Sequence, residues 1–540
     1  MTSVPEPKTP WYITTAIPYV NAKPHIGFAL EIVLTDALAR YRRLKGYEVR
    51  FLTGSDDNSL KNVQAAQEKG IDVRELVERN TRLYEALRGP LNLSFDDFIR
   101  TSVDARHLEG VQKLWKACSR SGDVYKKPYR GLYCVGCEQF YAEKELNEGL
   151  CPEHGVTLEW IEEENYFFRL SRYRDRLERL IRSDELRILP ETRKNEVLSF
   201  IRAGLEDFSI SRSYARSRGW GVPVPDDPGQ VMYVWFDALG NYITALDWAS
   251  EDPLYHRFWL HNPHRIHVIG KGIIRFHAVY WPAMLLSAGV PLPSTIFVHG
   301  YLTVEGKKMS KSLGNTIDPV EWAGRFGTDP LRYFLLRHIR ATDDADFSLK
   351  PFLLAYNADL ADQLGNLVSR VAGMLERYFG GQVPSPSGEH EPGSLRSLAE
   401  GLPQVIDEAI ERFAPWDALA ALWDLVAEAN RYVVRQQPWE LDKRRGASPE
   451  AEAELATTLY NLAETLRLIA HHLAPFLPGT AAAIAARLGL SLETGEWKKA
   501  LRWGLLPPGA KVRSDAALFP KIRPAPDSVP SAPSAAAQAT

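Results

Sequence analysis

Apolar residues along this chain switch between two periods, and each switch marks an element. Residues 11–17, WYITTAI, are β-branched and aromatic, as in a strand. From Ile26 the apolar positions recur at 26, 30, 33, 34, 37, 38, 41 and 44, a helical spacing that Gly46 closes. EVRFLTG at 48–54 predicts a second strand. Strand, helix and strand in succession predict a βαβ unit with parallel strands and a right-handed crossover. RIHVIG (265–270) and TIFVHGYL (295–302) predict two later strands, separated by the helix-like IIRFHAVYWPAMLLSAG. An α/β sheet is therefore expected, split by a long insertion.

Beyond Gly327 the period changes for good. TDPLRYFLL carries an N-cap and a proline just inside a helix. From there to about residue 490 nearly everything has helical spacing, with Leu360, Leu364, Leu367, Val371 and Leu375 on one stripe, so this part is predicted to be all-α. The end, RPAPDSVPSAPSAAAQAT, is rich in Pro, Ala and Ser and is expected to be disordered.

Composition changes the picture little. The 540 residues are 45% hydrophobic and 25% charged, as in an ordinary soluble chain of several domains. A net charge of -3 excludes a global basic field, so a nucleic-acid partner would need local basic patches. The start, MTSVPEPKTPWY, lacks the basic region and apolar core of a secretory signal. No apolar run approaches the roughly 20 residues that span a bilayer. A reducing cytoplasmic setting without membrane attachment is expected.

Three stretches carry chemistry. In YCVGCEQFYAEKELNEGLCPEHG, C-x2-C and C-x2-H place Cys134, Cys137, Cys151 and His154 at the spacing of a tetrahedral structural zinc site; unliganded structural cysteines are the alternative. In AIPYVNAKPHIGFALEI, His25 and Gly27 open a helix, whose unpaired N–H groups and positive end attract phosphate. In GKKMSKSLGN, Lys307, Lys308 and Lys311 stand in a flexible loop, suited to the migrating charge of phosphoryl chemistry. Taken singly, the histidine could be structural and the lysine loop a solvated turn; together, at opposite ends of a split α/β domain, they point to a polyphosphate.

PHIGF and KMSKS resemble the His-Ile-Gly-His and Lys-Met-Ser-Lys-Ser signatures of class I aminoacyl-tRNA synthetases. TTAIPYVNAKPHIG, YVWFDALGNY, RFHAVYWPAML and LYCVGCEQFYAEKEL are similar to methionyl-tRNA synthetases over roughly residues 10–520. The resemblance implies a Rossmann-like parallel-sheet catalytic domain (1–115 and 231–325) split by a connective insertion with a zinc knuckle (116–230). A stem-contact region (326–355), a helical anticodon-binding domain (356–512) and a disordered tail (513–540) follow.

It further implies ATP-dependent methionine–tRNA ligation, with Mg2+ accompanying ATP, one structural zinc, and tRNA(Met), including the initiator, as partner. Residue by residue, His25, Gly27, Phe28, Lys308 and Lys311 would line the ATP site, with His25, Lys308 and Lys311 catalytic. Ile17, Tyr19, Asp56, Trp235, Leu239, Tyr242, His277 and Trp281 would hold methionine. Asp56 would take the ammonium, and Tyr19 and His277 would offer polar contacts toward sulfur. Asn430, Arg435 and Trp497 would contact the anticodon. No oligonucleotide-binding domain follows LFPK, so a monomer is expected.

Three positions depart from the pattern. Phe28 replaces the second histidine of the first signature and can stack on or pack beside adenine. Asn58 stands at a histidine position, and Gly272 where aspartate is common. A coherent active-site subtype is expected from these changes. The competing readings are a class I enzyme for another apolar amino acid and a non-catalytic tRNA-binding relative.

Overall fold

The computed structural model describes residues 8–134, 139–141, 143–153, 155–308, 315–387, 394–492 and 497–523. Strand β1 (Pro10–Thr15) is buried at every position, as a central strand covered on both faces must be. It is joined by β2 (Glu48–Ser55), β3 (Asp97–Arg100), β4 (Arg187–Leu189), β5 (Arg265–Gly270) and β6 (Thr295–His299) in the order β3-β2-β1-β5-β6-β4, every pairing parallel. The chain runs outward from β1 on one side and returns through β5 on the other, so the order reverses between β1 and β5.

Helix α1 (Ile26–Leu44) connects β1 to β2, where the periodicity predicts it, and is buried almost all round. Gly46, at φ +91, makes the turn behind it. Two carboxylates of this buried helix, Glu31 and Asp36, are both partnered.

The span 116–230, read as the connective insertion, contributes one strand to the sheet: β4 lies inside it and pairs with β6 at the sheet edge. Ile188 and Leu186 are buried there, which a three-residue strand achieves only against a sheet. The protruding part is a long antiparallel ribbon, Val124–Cys134 with Glu159–Phe168.

The carboxy-terminal half is helical. A continuous rod from Leu349 to Phe379, with a π-helical stretch at Tyr356–Gly365, buries the predicted stripe Leu360, Leu364, Leu367, Val371 and Leu375. Helices α2 (Pro415–Gln436) and α3 (Pro449–Leu473) pack on it, and the helix Ser394–Glu411 packs on those two. Thr328 does not cap its helix: Gly327 does, at φ +95, and the Thr328 hydroxyl donates to the Pro90 carbonyl. The segment expected to be disordered from 513 is docked as far as 523. Phe519 is buried, Tyr356 donates to Pro520 O, and Lys521 pairs with Asp362 at 2.7 Å. Residues 524–540 lie outside the described residues. Among the described residues no helix is long and apolar enough to cross a membrane.

Candidate active site

The carboxyl ends of β1 and β5, where the sheet order reverses, form the crevice in which open α/β sheets bind ligands. One wall is the start of α1. His25 is its extended N-cap, and Nδ1 accepts the Gly27 N–H at 3.1 Å. An accepting Nδ1 puts the ring hydrogen on Nε2, and burial lowers the His25 pKa, so the neutral ring keeps one donor to offer. Two turns on, Glu31 accepts the Ala16 N–H at 2.8 Å and meets His299 Nε2 at 2.8 Å. That carboxylate ties α1 to the ends of β1 and β6.

The second wall is aromatic. Tyr19 meets Trp235 edge-on at 6.3 Å, and Trp235 meets His277 at 6.3 Å. Tyr242 bonds His277 Nε2 at 2.7 Å and lies 6.0 Å from Trp281. These predicted pocket residues, drawn from three stretches of sequence, form one run of ring contacts. Ile17 rests against Gly54, where a Cβ would fall 2.2 Å from Ile99 O, so only glycine fits there. Leu239 is buried on the same short helix as Trp235. Asp56 is buried at the end of β2 and bridges in parallel to Tyr19.

His277 is not free to face a sulfur atom. Its Nδ1 lies 3.0 Å from the Ile273 carbonyl, which only accepts, so Nδ1 carries the hydrogen and Nε2 accepts from the Tyr242 hydroxyl. Burial pushes its pKa down to about 4, which keeps it neutral. The expected polar contact from His277 is corrected accordingly: the ring orients Tyr242. The buried Trp235 Nε1 has no hydrogen-bond partner among the described residues and is a donor on this wall.

The departures have structural reasons. Phe28 does not present a face to adenine; it is 8% exposed and packs edge-on against Tyr84 at 5.2 Å. Asn58 donates to Asp237 at 2.7 Å, and His107 holds the other oxygen of that carboxylate at 2.6 Å. Asn58 thereby ties the loop after β2 to the helix bearing Trp235. At Gly272 a Cβ would fall 2.0 Å from the Tyr301 hydroxyl.

Past β6, a short ribbon pairs Leu302–Val304 with Lys307–Lys308. This ribbon follows directly on the carboxyl end of β6; the Lys308 side chain and Lys311 lie outside the described residues. Cys134 and Cys151 share one buried cluster with Tyr141, while Cys137 and His154 lie outside the described residues.

In the helical half, Asn430 donates to Gln363 O and Val426 O, and Arg435 pairs with Glu428 at 3.1 Å. Trp497 does not join them. It is 5% exposed, with its ring packed about 6 Å from His471 and His472, so it has no face for a base. Trp439, 37% exposed and close behind Arg435 in sequence, has one.

Sequence reasoning missed Glu31, Phe276, Asp237, His107 and Tyr301. Glu31 left a signal, a lone carboxylate in the apolar run IGFALEIVL. Phe276, stacked on Trp235 at 3.7 Å, left none beyond its place beside His277.

Comparison with known proteins bears on this geometry. The family described as "tRNA synthetases class I (M)" matches residues 11–160 and 154–372, and "Anticodon binding domain of methionyl tRNA ligase" matches 386–528. A methionine–tRNA ligase of Caldanaerobacter subterraneus is 43% identical over 517 residues, 95% of this chain and 79% of the relative. One from Mycobacterium bovis is 43% identical over 523 residues, covering 95% and 98%. The solved Mycobacterium tuberculosis methionyl-tRNA synthetase in complex with methionyl-adenylate superposes with a TM-score of 0.90 at 43% identity, covering 95% of this chain and all of that one.

Proposed function

The chain belongs to the class I tRNA synthetase family that serves methionine, and we propose that His25, Gly27, Lys308 and Lys311 hold its ATP while the aromatic wall holds the amino acid. The reaction is ATP-dependent ligation of methionine to tRNA. In the first step the methionine carboxylate attacks the α-phosphorus; the new O–P bond forms as the bond to pyrophosphate breaks. In the second, a terminal tRNA hydroxyl attacks the adenylate carbonyl, and AMP departs.

The carboxylate is its own nucleophile, so the protein's task is orientation and charge stabilisation. The start of α1 offers N–H groups and a positive dipole end to the phosphates, and His25 Nε2–H adds a donor. Lys308 and Lys311 bring flexible positive charge to the departing pyrophosphate. Mg2+ bound to the incoming ATP would supply further neutralisation of phosphate charge. Asp56 takes the methionine ammonium. The thioether lies along Ile17, Tyr19, Trp235, Leu239, Tyr242 and Trp281, since polarizable sulfur packs favourably on aromatic edges.

The observation that carries this reading is the run of ring contacts from Tyr19 to Trp281, which starts where the Tyr19 backbone bridges to that of the buried Asp56. ATP–pyrophosphate exchange with a panel of amino acids tests it. Methionine-dependent exchange is expected; exchange with another apolar amino acid, or none above background, overturns it.

We also propose zinc at Cys134, Cys137, Cys151 and His154. The burial of Cys134 and Cys151 in one small cluster suits a shared ion, and four ligands leave no open position, so its effect is to rigidify the ribbon. In the helical domain we place the anticodon of tRNA(Met), initiator included, on Asn430, Arg435 and Trp439. We propose a cytoplasmic monomer; light scattering near the 60.9 kDa chain mass is the expected result.

A further inference from the structure

Two stretches that supply the amino-acid pocket meet through one buried carboxylate. Asp56 and Asn58 follow β2, while Trp235 and Leu239 flank Asp237 on the helix Val234–Leu239. Asn58 Nδ2 donates to Asp237 Oδ2 at 2.7 Å, and His107 Nε2 meets Asp237 Oδ1 at 2.6 Å. Asp237 and His107 are fully buried and Asn58 nearly so. Both contacts are therefore made away from water, where a carboxylate holds its donors firmly.

Each end of this contact is anchored. Asp56 N donates to Pro18 O and Asp57 N to Thr101 Oγ1, while Asn62 Nδ2 donates to Asp56 O and Asp57 O. Trp220 Nε1 also donates to Asp57 O, at 2.8 Å. The loop is thus fixed through its own backbone, and the Asn58 amide is a rigid handle. Behind Asp237, His107 Nδ1 lies 2.9 Å from Thr244 Oγ1. A Cβ on Gly110 would fall 2.4 Å from Thr244 Cγ2, so the helix Ala105–Arg120 sits close against the chain that follows Leu239.

We propose that Asn58, acting through Asp237, is a positioning residue that sets the depth of the amino-acid pocket and so the length of side chain that is activated. The inference rests on the methionine placement proposed above, with Asp56 on the ammonium and Trp235 and Leu239 along the thioether. Trp235 and Leu239 are four apart and share one face of their helix, and Asp237 between them lies on the opposite face. The Asn58 bond therefore holds the helix from behind. It fixes how far the Trp235 face advances relative to the loop that carries Asp56. One hydrogen bond joins the group that sets the amino end to the groups that bound the side chain.

Exchange kinetics with methionine and with ethionine, one methylene longer, test this. The wild-type chain should prefer methionine, since one methylene in an apolar pocket is worth roughly 10- to 200-fold. Asn58→Ala should narrow that preference by about tenfold, the fold-change of one hydrogen bond to a charged group, with KM for ATP unchanged. Asp237→Asn should narrow it in the same sense. The double variant should be no less selective than the worse single, because both remove the same contact. A merely structural asparagine would lower the melting temperature and the active fraction and leave the methionine-to-ethionine ratio where it was. If Asn58→Ala does not fold, Asp237→Asn, which keeps the shape of its side chain, carries the test. An unchanged ratio in the folded single variants, or additive losses in the double variant, overturns the proposal. Absence of methionine-dependent exchange in the wild-type chain would instead overturn the synthetase reading itself.

Discussion

Glu31 and Asp36 are buried carboxylates five residues apart on α1, and their neighbours differ in kind. Glu31, near the positive end, takes one backbone N–H and one histidine, both from the ends of sheet strands at the crevice. Asp36, in the second half, accepts from Ser94 N and Oγ, from Arg40 Nε, and from a guanidinium with no exposed surface, that of Arg332. Arg332 goes on to donate to Phe476 O in the helical half. Burial pushes the Asp36 pKa up, but Arg332, Arg40 and Ser94 outweigh it and the net shift is down. One helix thus has an end tied into the crevice of the sheet and an end that clamps two halves of the chain together. The lesson is that buried charge alone does not mark a site. What marks it is where the partners come from.

The sharpest way to break this contrast is Asp36→Asn. It leaves Arg332 buried without its counter-charge, and about 3–5 kcal/mol of stability should be lost in urea unfolding. KM for ATP and methionine should not move in the fraction that remains folded. The two tryptophans of the helical half make a parallel test. Trp497→Ala removes a buried ring and should cost about 3–5 kcal/mol of stability with tRNA affinity intact in folded protein. Trp439→Ala should leave the melting temperature alone and weaken tRNA binding by roughly 1–3 kcal/mol, the value of one stacked base. If the two phenotypes exchange, the anticodon face is misplaced.

At the ligand end the effects should be smaller and kinetic. His25→Asn keeps an N-cap acceptor and loses the ring donor, so the melting point should hold. The exchange barrier should rise by about 1.5–3 kcal/mol, as for a lost hydrogen bond to a charged group. Tyr242→Phe leaves His277 Nε2 buried without its donor, a cost of about 1–3 kcal/mol. It should appear as a raised KM for methionine with KM for ATP unchanged.

The gentlest probe is pH. Burial pushes His277 down to about 4 and His472 down to about 3, against an ordinary value of 6.5. The unfolded chain therefore binds protons first as pH falls below 6.5. Stability is full above that value and declines until the folded pKa values are passed, each histidine contributing at most about 1.4 kcal/mol per pH unit. Neither ring nitrogen of His472 has a hydrogen-bond partner among the described residues. His472→Phe should therefore flatten this slope by one proton without loss of stability at pH 6; an unchanged slope would assign the titration elsewhere.

Local rules carried far in this chain. The helical period of α1, its glycine stop, the strand at 265–270 and the apolar stripe of the 349–379 rod all stand where spacing places them, because each depends on neighbours within a turn or two. The rings named through resemblance touch one another in the fold.

What spacing could not reveal depends on residues far apart in sequence. Strand β4 belongs to the sheet only because β6, over a hundred residues later, offers it an edge. Trp497 looks like a stacking residue until His471 and His472 close over it. Both nitrogens of His277 look available until Ile273 O and Tyr242 take them. The space at Gly272 is explained only by Tyr301 beside it. The sequence by itself determined the periods, the caps and the chemical types on offer, because these are properties of short stretches. Only the tertiary structure decided which donors remain for a ligand, because hydrogen-bond saturation is settled by every neighbour in space, near or distant along the chain.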